Sequence, residues 1–198
     1  MSPAETATRP RVEGDREQEI YDATLEVLEE VGYDRLTMDA VATRAKAGKA
    51  TLYRRWNGKP ELVVATIMSF KGTSPEVDTG TLRGDLITLH CGQGGLTDQR
   101  AQTILSVLVT AMTRDPEFAD IYRRDFIGSK MARTREAYVR AQARGEIADD
   151  LDLDLIAPAL AGITLHRAFL LGDHATPALI ERIVDTVILP AVGLSTAH

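Results

Sequence analysis

Leu36-Thr37-Met38-Asp39-Ala40-Val41-Ala42-Thr43-Arg44-Ala45-Lys46-Ala47-Gly48-Lys49-Ala50-Thr51-Leu52-Tyr53-Arg54-Arg55-Trp56 holds two short helical patterns separated by a turn. Thr37 suits the N-cap of a short helix, Met38–Ala45, and Asp39 falls in its first turn, where a carboxylate complements the helix dipole. Met38, Val41, Ala42 and Ala45 follow the i, i+3, i+4, i+7 spacing of one apolar face. Lys46-Ala47-Gly48 then makes a turn, and a further helix is expected from Lys49 to about Trp56. Leu52 and Trp56 stand four apart, so they share a face and should bury it, whereas Lys49, Ala50, Arg54 and Arg55 fall away from that stripe. Two short helices joined by a three-residue turn make a helix-turn-helix.

Outward from this motif the chain reads as helix after helix. A first helix is expected over about Arg16–Val31, with Ile20, Ala23, Leu25, Val27, Leu28 and Val31 as its apolar stripe and Gly32 as its stop. Residues 1–15 read as a flexible arm in which Arg9 and Arg11 are candidates to touch phosphates or a minor groove. Asn57-Gly58 breaks the helix after Trp56, and Lys59-Pro60-Glu61 opens another, about Pro60–Phe70, with proline where its missing N–H costs nothing. Lys71–Gly80 reads as a loop. Helices are then expected at about 82–91, 98–114, 116–144, 152–171 and 177–192. Asp115-Pro116-Glu117 and Thr176-Pro177 are start signals, and Gly145, Gly172 and Gly193 are stops. About nine helices and no strand make the fold all-α.

Composition narrows the function classes. Hydrophobic residues at 44% and charged residues at 26% are a globular balance, and with four Phe, five Tyr and one Trp the core must be mostly aliphatic. The single cysteine, Cys91, excludes an intrachain disulfide and a multi-cysteine zinc site. No signal peptide is visible, and the apolar stretch Leu155–Leu165 is expected to be too short to span a membrane, so a cytoplasmic protein is the default. The net charge of −6 argues against indiscriminate nucleic-acid binding. Charge is uneven, however: Arg35, Arg44, Lys46, Lys49, Arg54, Arg55 and Lys59 face one acid, Asp39, within residues 35–59. A local basic patch on an acidic chain suits a dedicated anion site.

In a helix-turn-helix the second helix enters the DNA major groove while the first holds it against the backbone. The segment from Leu36 to Leu62, through Thr51-Leu52-Tyr53 and Trp56-Asn57-Gly58-Lys59-Pro60-Glu61-Leu62, resembles the DNA-binding signature of TetR-type transcriptional regulators, and so does the preceding Gly32-Tyr33. The resemblance covers roughly residues 16–70. It departs at Lys46, where the family has a turn former, so that lysine should adopt a left-handed backbone, and at Gly48, which caps more weakly than serine or threonine. By this likeness Lys49, Ala50 and Arg54 are the candidates to read base edges, Thr37, Thr51, Tyr53 and Lys59 match phosphate-contacting positions, and Arg55 serves either role.

The resemblance implies an N-terminal three-helix helix-turn-helix DNA-binding domain, residues 16–60. A helical ligand-binding and dimerisation domain, residues 61–198, follows it, with helix 60–70 linking the two. The partners expected are a double-stranded operator, a second copy of the chain, and a small-molecule effector. The apolar helices at about 152–171 (Leu155, Ala159, Gly162, Ile163, Phe169, Leu170) and 177–192 (Ile180, Ile183, Val184, Val187, Ile188) are the expected dimer interface, a four-helix bundle with the symmetry mate. Candidate pocket residues are His90, Cys91, Leu105, Leu108, Met112, Tyr122, Phe126, Tyr138, His166 and Phe169. No metal or cofactor is expected. Two alternatives stand beside this reading: a DNA-binding regulator without an effector, and a helical enzyme in which Asp85, His90 or His166 does acid–base work, although no nucleophile–base grouping accompanies them.

Overall fold

The computed structural model describes residues 13–72, 77–91 and 95–194; Arg9 and Arg11 of the expected arm lie outside the described residues. The contacts divide the chain into two compact units, Met1–Ser69 and Phe70–His198.

The first unit is built on α1 (Glu13–Arg35), α2 (Met38–Arg44), α3 (Lys49–Arg55) and α4 (Lys59–Lys71), which runs on to the start of the second unit. Helix α1 opens at Glu13 rather than near Arg16, and its regular course is broken at Gly32, with φ 75° and ψ 169°. That backbone region is open essentially to glycine alone. The redirected chain buries Tyr33 and Leu36. Thr37 caps α2, its hydroxyl oxygen accepting the Ala40 N–H at 3.1 Å. The end of α2 is closed by two bonds: Lys46 N–H to the Thr43 carbonyl at 3.1 Å and Ala47 N–H to the Ala42 carbonyl at 2.8 Å. This helix stop requires a left-handed residue, and Lys46 supplies it with φ 50°. Gly48 opens α3 without a side-chain cap bond, as the missing acceptor dictates.

The second unit comprises α5 (Leu82–His90), α6 (Gln99–Arg114), α7 (Pro116–Ile121), α8 (Gly128–Ala143), α9 (Leu153–Ile156), α10 (Ala159–Leu170), α11 (Pro177–Ile183) and α12 (Leu189–Ala191). A π turn at Tyr122–Ile127 joins α7 to α8 without a break, and another at Val184–Ile188 joins α11 to α12. The second lies just ahead of Pro190, whose ring needs the wider turn and which has no N–H to give the ladder. Counted as continuous stretches, the described residues hold ten helices and no strand; the all-α class is as the sequence predicts, and the helix beyond the expected nine comes from a split within 152–171. Asp115 and Thr176 cap their helices, accepting the N–H groups of Phe118 at 3.0 Å and Leu179 at 3.2 Å.

Two expectations are corrected. The helix predicted over 152–171 breaks at Ala157-Pro158 into α9 and α10, because proline has no N–H and its ring crowds the carbonyl four residues back. The segment Leu153–Leu170 is nevertheless apolar and long enough, by composition and length alone, to cross a membrane, although the sequence reading found no such segment. That reading stopped at His166-Arg167, yet Asp154 and Arg167 are the only full charges in these 18 residues, and only 22% of the segment is buried.

The core of this unit gathers Leu82 and Leu86 from α5, Ala137, Tyr138 and Ala141 from α8, Leu160 from α10, and Ile180, Ile183, Val184, Ile188 and Leu189 from α11 to α12. So Ile180, Ile183, Val184 and Ile188, expected to meet a symmetry mate, are spent on the chain's own interior, and of that set Val187 stays outward. What α9 and α10 leave exposed is larger: Leu155 at 72% on α9, and Phe169 and Leu170 (73%) at the end of α10, with Leu171 following.

Candidate nucleic-acid interface and cavity

The placement of α3 follows from two anchors. Leu52 is fully buried and Trp56, at the end of the helix, nearly so. Tyr21 of α1 meets Trp56 edge to face, with ring centroids 5.8 Å apart, and donates its hydroxyl to Glu17 Oε1 at 2.5 Å. Burial raises the Tyr21 phenol well above its usual pKa and Glu17 holds the proton on it further; the same bond is the main cause that lowers Glu17. With the Leu52–Trp56 seam turned inward, Lys49, Ala50, Tyr53, Arg54 and Arg55 are all exposed and Thr51 is half-buried.

Exposure alone does not separate these residues; their partners do. Arg55 turns back onto α1, where Glu17 takes its Nη2 at 2.5 Å and its Nε at 3.2 Å, and its guanidinium lies 5.9 Å from the Trp56 ring. Lys59 donates to the Tyr33 carbonyl at 3.2 Å, with its ammonium 4.1 Å from the Tyr33 ring centroid. Lys49 pairs with Asp39 across the turn at 2.5 Å. Arg44 forks onto Glu30 and also reaches Glu26, clamping α2 to α1. The basic cluster of the sequence is thus largely matched by acids from α1 and α2. The side chains of Arg54 and Lys46 take no partner among the described residues. Thr37 uses its oxygen as a cap acceptor and keeps a hydroxyl hydrogen to donate.

The second unit holds a cavity of about 340 Å³ between α5, the π turn, α8 and α10. Of the residues expected there, His90, Leu105, Tyr122 and Phe126 line it. Leu108 and Tyr138 are fully buried elsewhere in the core, Cys91 and Met112 are half-buried away from the lining, and His166 and Phe169 lie exposed on α10. The sequence reading missed Lys71, Leu89, Leu96, Lys130, Met131 and Leu165. Phe118, Tyr122 and Phe126 stack in succession, at 5.5 Å and 5.0 Å between centroids, so the π turn presents two of these rings to the cavity.

Asp85, the buried acid that an enzyme reading would use, is committed to structure. It accepts the Thr79 backbone N–H at 2.6 Å and the Thr79 hydroxyl at 2.8 Å, and it pairs with Arg140 at 3.3 Å. Burial opposes its charge, but these bonds hold its carboxyl below the usual range. No cluster of three potential metal ligands occurs among the described residues.

Comparison with known proteins agrees with this geometry. Residues 20–66 match bacterial regulatory proteins of the tetR family, and residues 76–187 match the tetracyclin repressor-like C-terminal domain. An uncharacterized HTH-type transcriptional regulator of Mycobacterium tuberculosis is 38% identical over 197 residues, covering 98% of this chain and 96% of the relative. A DNA-binding transcriptional repressor, TetR, of Mycobacteroides abscessus is 37% identical over 171 residues, 83% of this chain and 87% of its own. The crystal structure of the TetR family transcription regulator SCO0332 superposes with a TM-score of 0.67 at 25% identity, covering 88% of this chain and 97% of the other. A helix-turn-helix held outward by a buried leucine and tryptophan, followed by an all-helical unit and matched along nearly its whole length by such relatives, makes this chain a member of the TetR family of transcriptional regulators.

Proposed function

We propose that the protein is a repressor that grips a palindromic operator as a homodimer and lets go when a small molecule fills the cavity of its second unit. The observation that carries this reading is the orientation of α3: Leu52 and Trp56 buried, with Ala50, Tyr53 and Arg54 exposed. Arg54 is the residue to read a guanine edge in the major groove, Ala50 to meet a thymine methyl, and Lys49 to leave Asp39 for a base or phosphate. Thr37, Thr51 and Tyr53 position the helix on phosphates. Arg55 and Lys59 are able to touch phosphates only from their places against Glu17 and Tyr33, so their share in DNA binding is the orientation of α3 and the start of α4.

The dimer is assigned chiefly to α9 and α10, with Val187 from the π turn. The large exposed side chains Leu155, Phe169, Leu170 and Leu171, carried by α9, α10 and the residue after it, support this, since exposed apolar patches mark interaction sites. Repression is supported by the Mycobacteroides abscessus relative, which is named a repressor. A cytoplasmic location goes with a DNA-binding role. For release, a ligand must favour the state that cannot bind DNA. Lys71, the last residue of α4, lines the cavity, so a bound ligand has a contact on the helix that begins next to the reading motif.

Selection of bound duplexes from a random library tests the reading. It should return inverted repeats with half-site centres about one DNA turn apart, ~34–36 Å. Enrichment of sites without two-fold symmetry would overturn the dimeric repressor model.

A further inference from the structure

We infer that the cavity is built for an apolar molecule carrying a single carboxylate, held between Lys71 and Lys130. This rests on the reading of the cavity as an effector site and names the class of effector. The walls are mainly Leu89, Leu96, Leu105, Ile127, Met131 and Leu165, with the Phe126 and Tyr122 rings. Into this apolar space the chain brings Lys71, Lys130 and Arg133, and no Asp or Glu. The Lys71 ammonium lies 5.1 Å from the Phe126 ring centroid and that of Lys130 lies 6.0 Å from the same ring. Neither lysine forms an ion pair among the described residues.

Two cations against one aromatic ring, with no acid in the cavity lining to pair with them, are expensive to keep in an apolar site. Burial, and then the neighbouring charge of Lys130, push Lys71 down to about 8, opposed only weakly by Asp98, whose carboxylate caps α6 on the Ala101 N–H. Lys130 is lowered too, by burial and by Arg133. His90 contributes no compensating acid. Burial holds its imidazole neutral, and its Nδ1–H donates to the Leu86 carbonyl at 2.8 Å. A carboxylate placed between the ammonium groups supplies the missing partner and gains charge-assisted hydrogen bonds in a medium that strengthens them. An organic cation meets like charge there instead. The apolar remainder of the ligand replaces water against Leu96, Met131 and Leu165.

The test uses the full chain and matched probes by titration calorimetry: decanoate with decanol and decylamine, and naphthoate with naphthol and the aliphatic amine naphthylmethylamine, at pH 6.5, where both amines are cations. The carboxylates should bind at least tenfold tighter than the alcohols, and the amines weakest. The preference should fall as pH rises through about 8, where Lys71 loses its charge in the free protein. In the Lys71→Met/Lys130→Met double variant, checked for folding by circular dichroism, carboxylate and alcohol should bind alike. If wild-type protein binds carboxylate and alcohol equally, or prefers the amines, the inference is overturned while the cavity stands as a ligand site. If no member of any series binds at millimolar concentration, the effector reading itself fails and carries the inference down with it.

Discussion

Lys46 shows how a single residue records a conflict between local conformation and whatever else the position serves. It closes α2 with φ 50°, where the same pair of closing bonds at the end of α8 uses Gly145 with φ 68°. A side chain in that region costs roughly 1–2 kcal/mol, part of which glycine would give back as unfolded-state entropy. Lys46→Gly should therefore stabilise the protein by about 1 kcal/mol, read as a rise of roughly 2–4 °C in Tm; an unchanged or lower Tm would show that the lysine side chain repays its own strain. Lys71 makes the complementary case through pH. Its ammonium is held at about 8 in the fold against about 10.5 in the unfolded chain. Between those values the unfolded chain holds a proton that the folded one has lost, so the charge weakens the fold fully below pH 8 and not at all above pH 10.5. Lys71→Met should be more stable than wild type in urea at pH 7, with the gap closing towards pH 10.5. A gap independent of pH would mean that burial does not perturb this lysine. These two residues were unequally legible in the sequence. The left-handed Lys46 could be foreseen from its place in a turn, whereas Lys71 read as the first residue of a loop, and nothing along the chain placed it beside Lys130.

At the scale of the element, α3 is held by its apolar seam rather than by its own helical preference. It has seven residues, too few for independent stability, and lacks a side-chain cap. Leu52→Ala should cost about 2–5 kcal/mol by guanidinium denaturation, since Leu52 is fully buried; a cost under 1 kcal/mol would show that α3 is anchored elsewhere. This element was readable because its information is local: a cap, a turn, and two large apolar residues four apart. The breaks and faces of the second unit were less so. Pro158 was visible in the sequence as a helix breaker but was read through, because the apolar run continues on both sides of it. The stripe Ile180, Ile183, Val184 and Ile188 has the same appearance whether it meets its own chain or a second copy; only the packing of α5 and α8 against it decides. The cavity has no local signature at all, being assembled from residues of separate helices, so four of the ten expected residues line it and the two lysines that set its charge were not foreseen.

In the assembled protein, two copies act together on one duplex under the proposed function. Leu155→Glu/Leu170→Glu places charges where the exposed apolar face of α9 and α10 is assigned to the partner. Light scattering at micromolar concentration should show the wild type at twice the mass of one chain and the variant at the mass of one chain, with operator affinity lost in parallel. A variant that remains dimeric would move the interface elsewhere. The most direct test of the central claim, that α3 reads DNA sequence through its outward face, is the affinity of wild-type and Arg54→Ala protein for the selected operator and for every single-base variant of it, measured by fluorescence anisotropy at fixed salt. The expected result is a loss of ~1–3 kcal/mol for the variant on the intact operator, with discrimination erased at one base pair in each half-site and retained at the others. An equal loss on every sequence, or no loss, would contradict it.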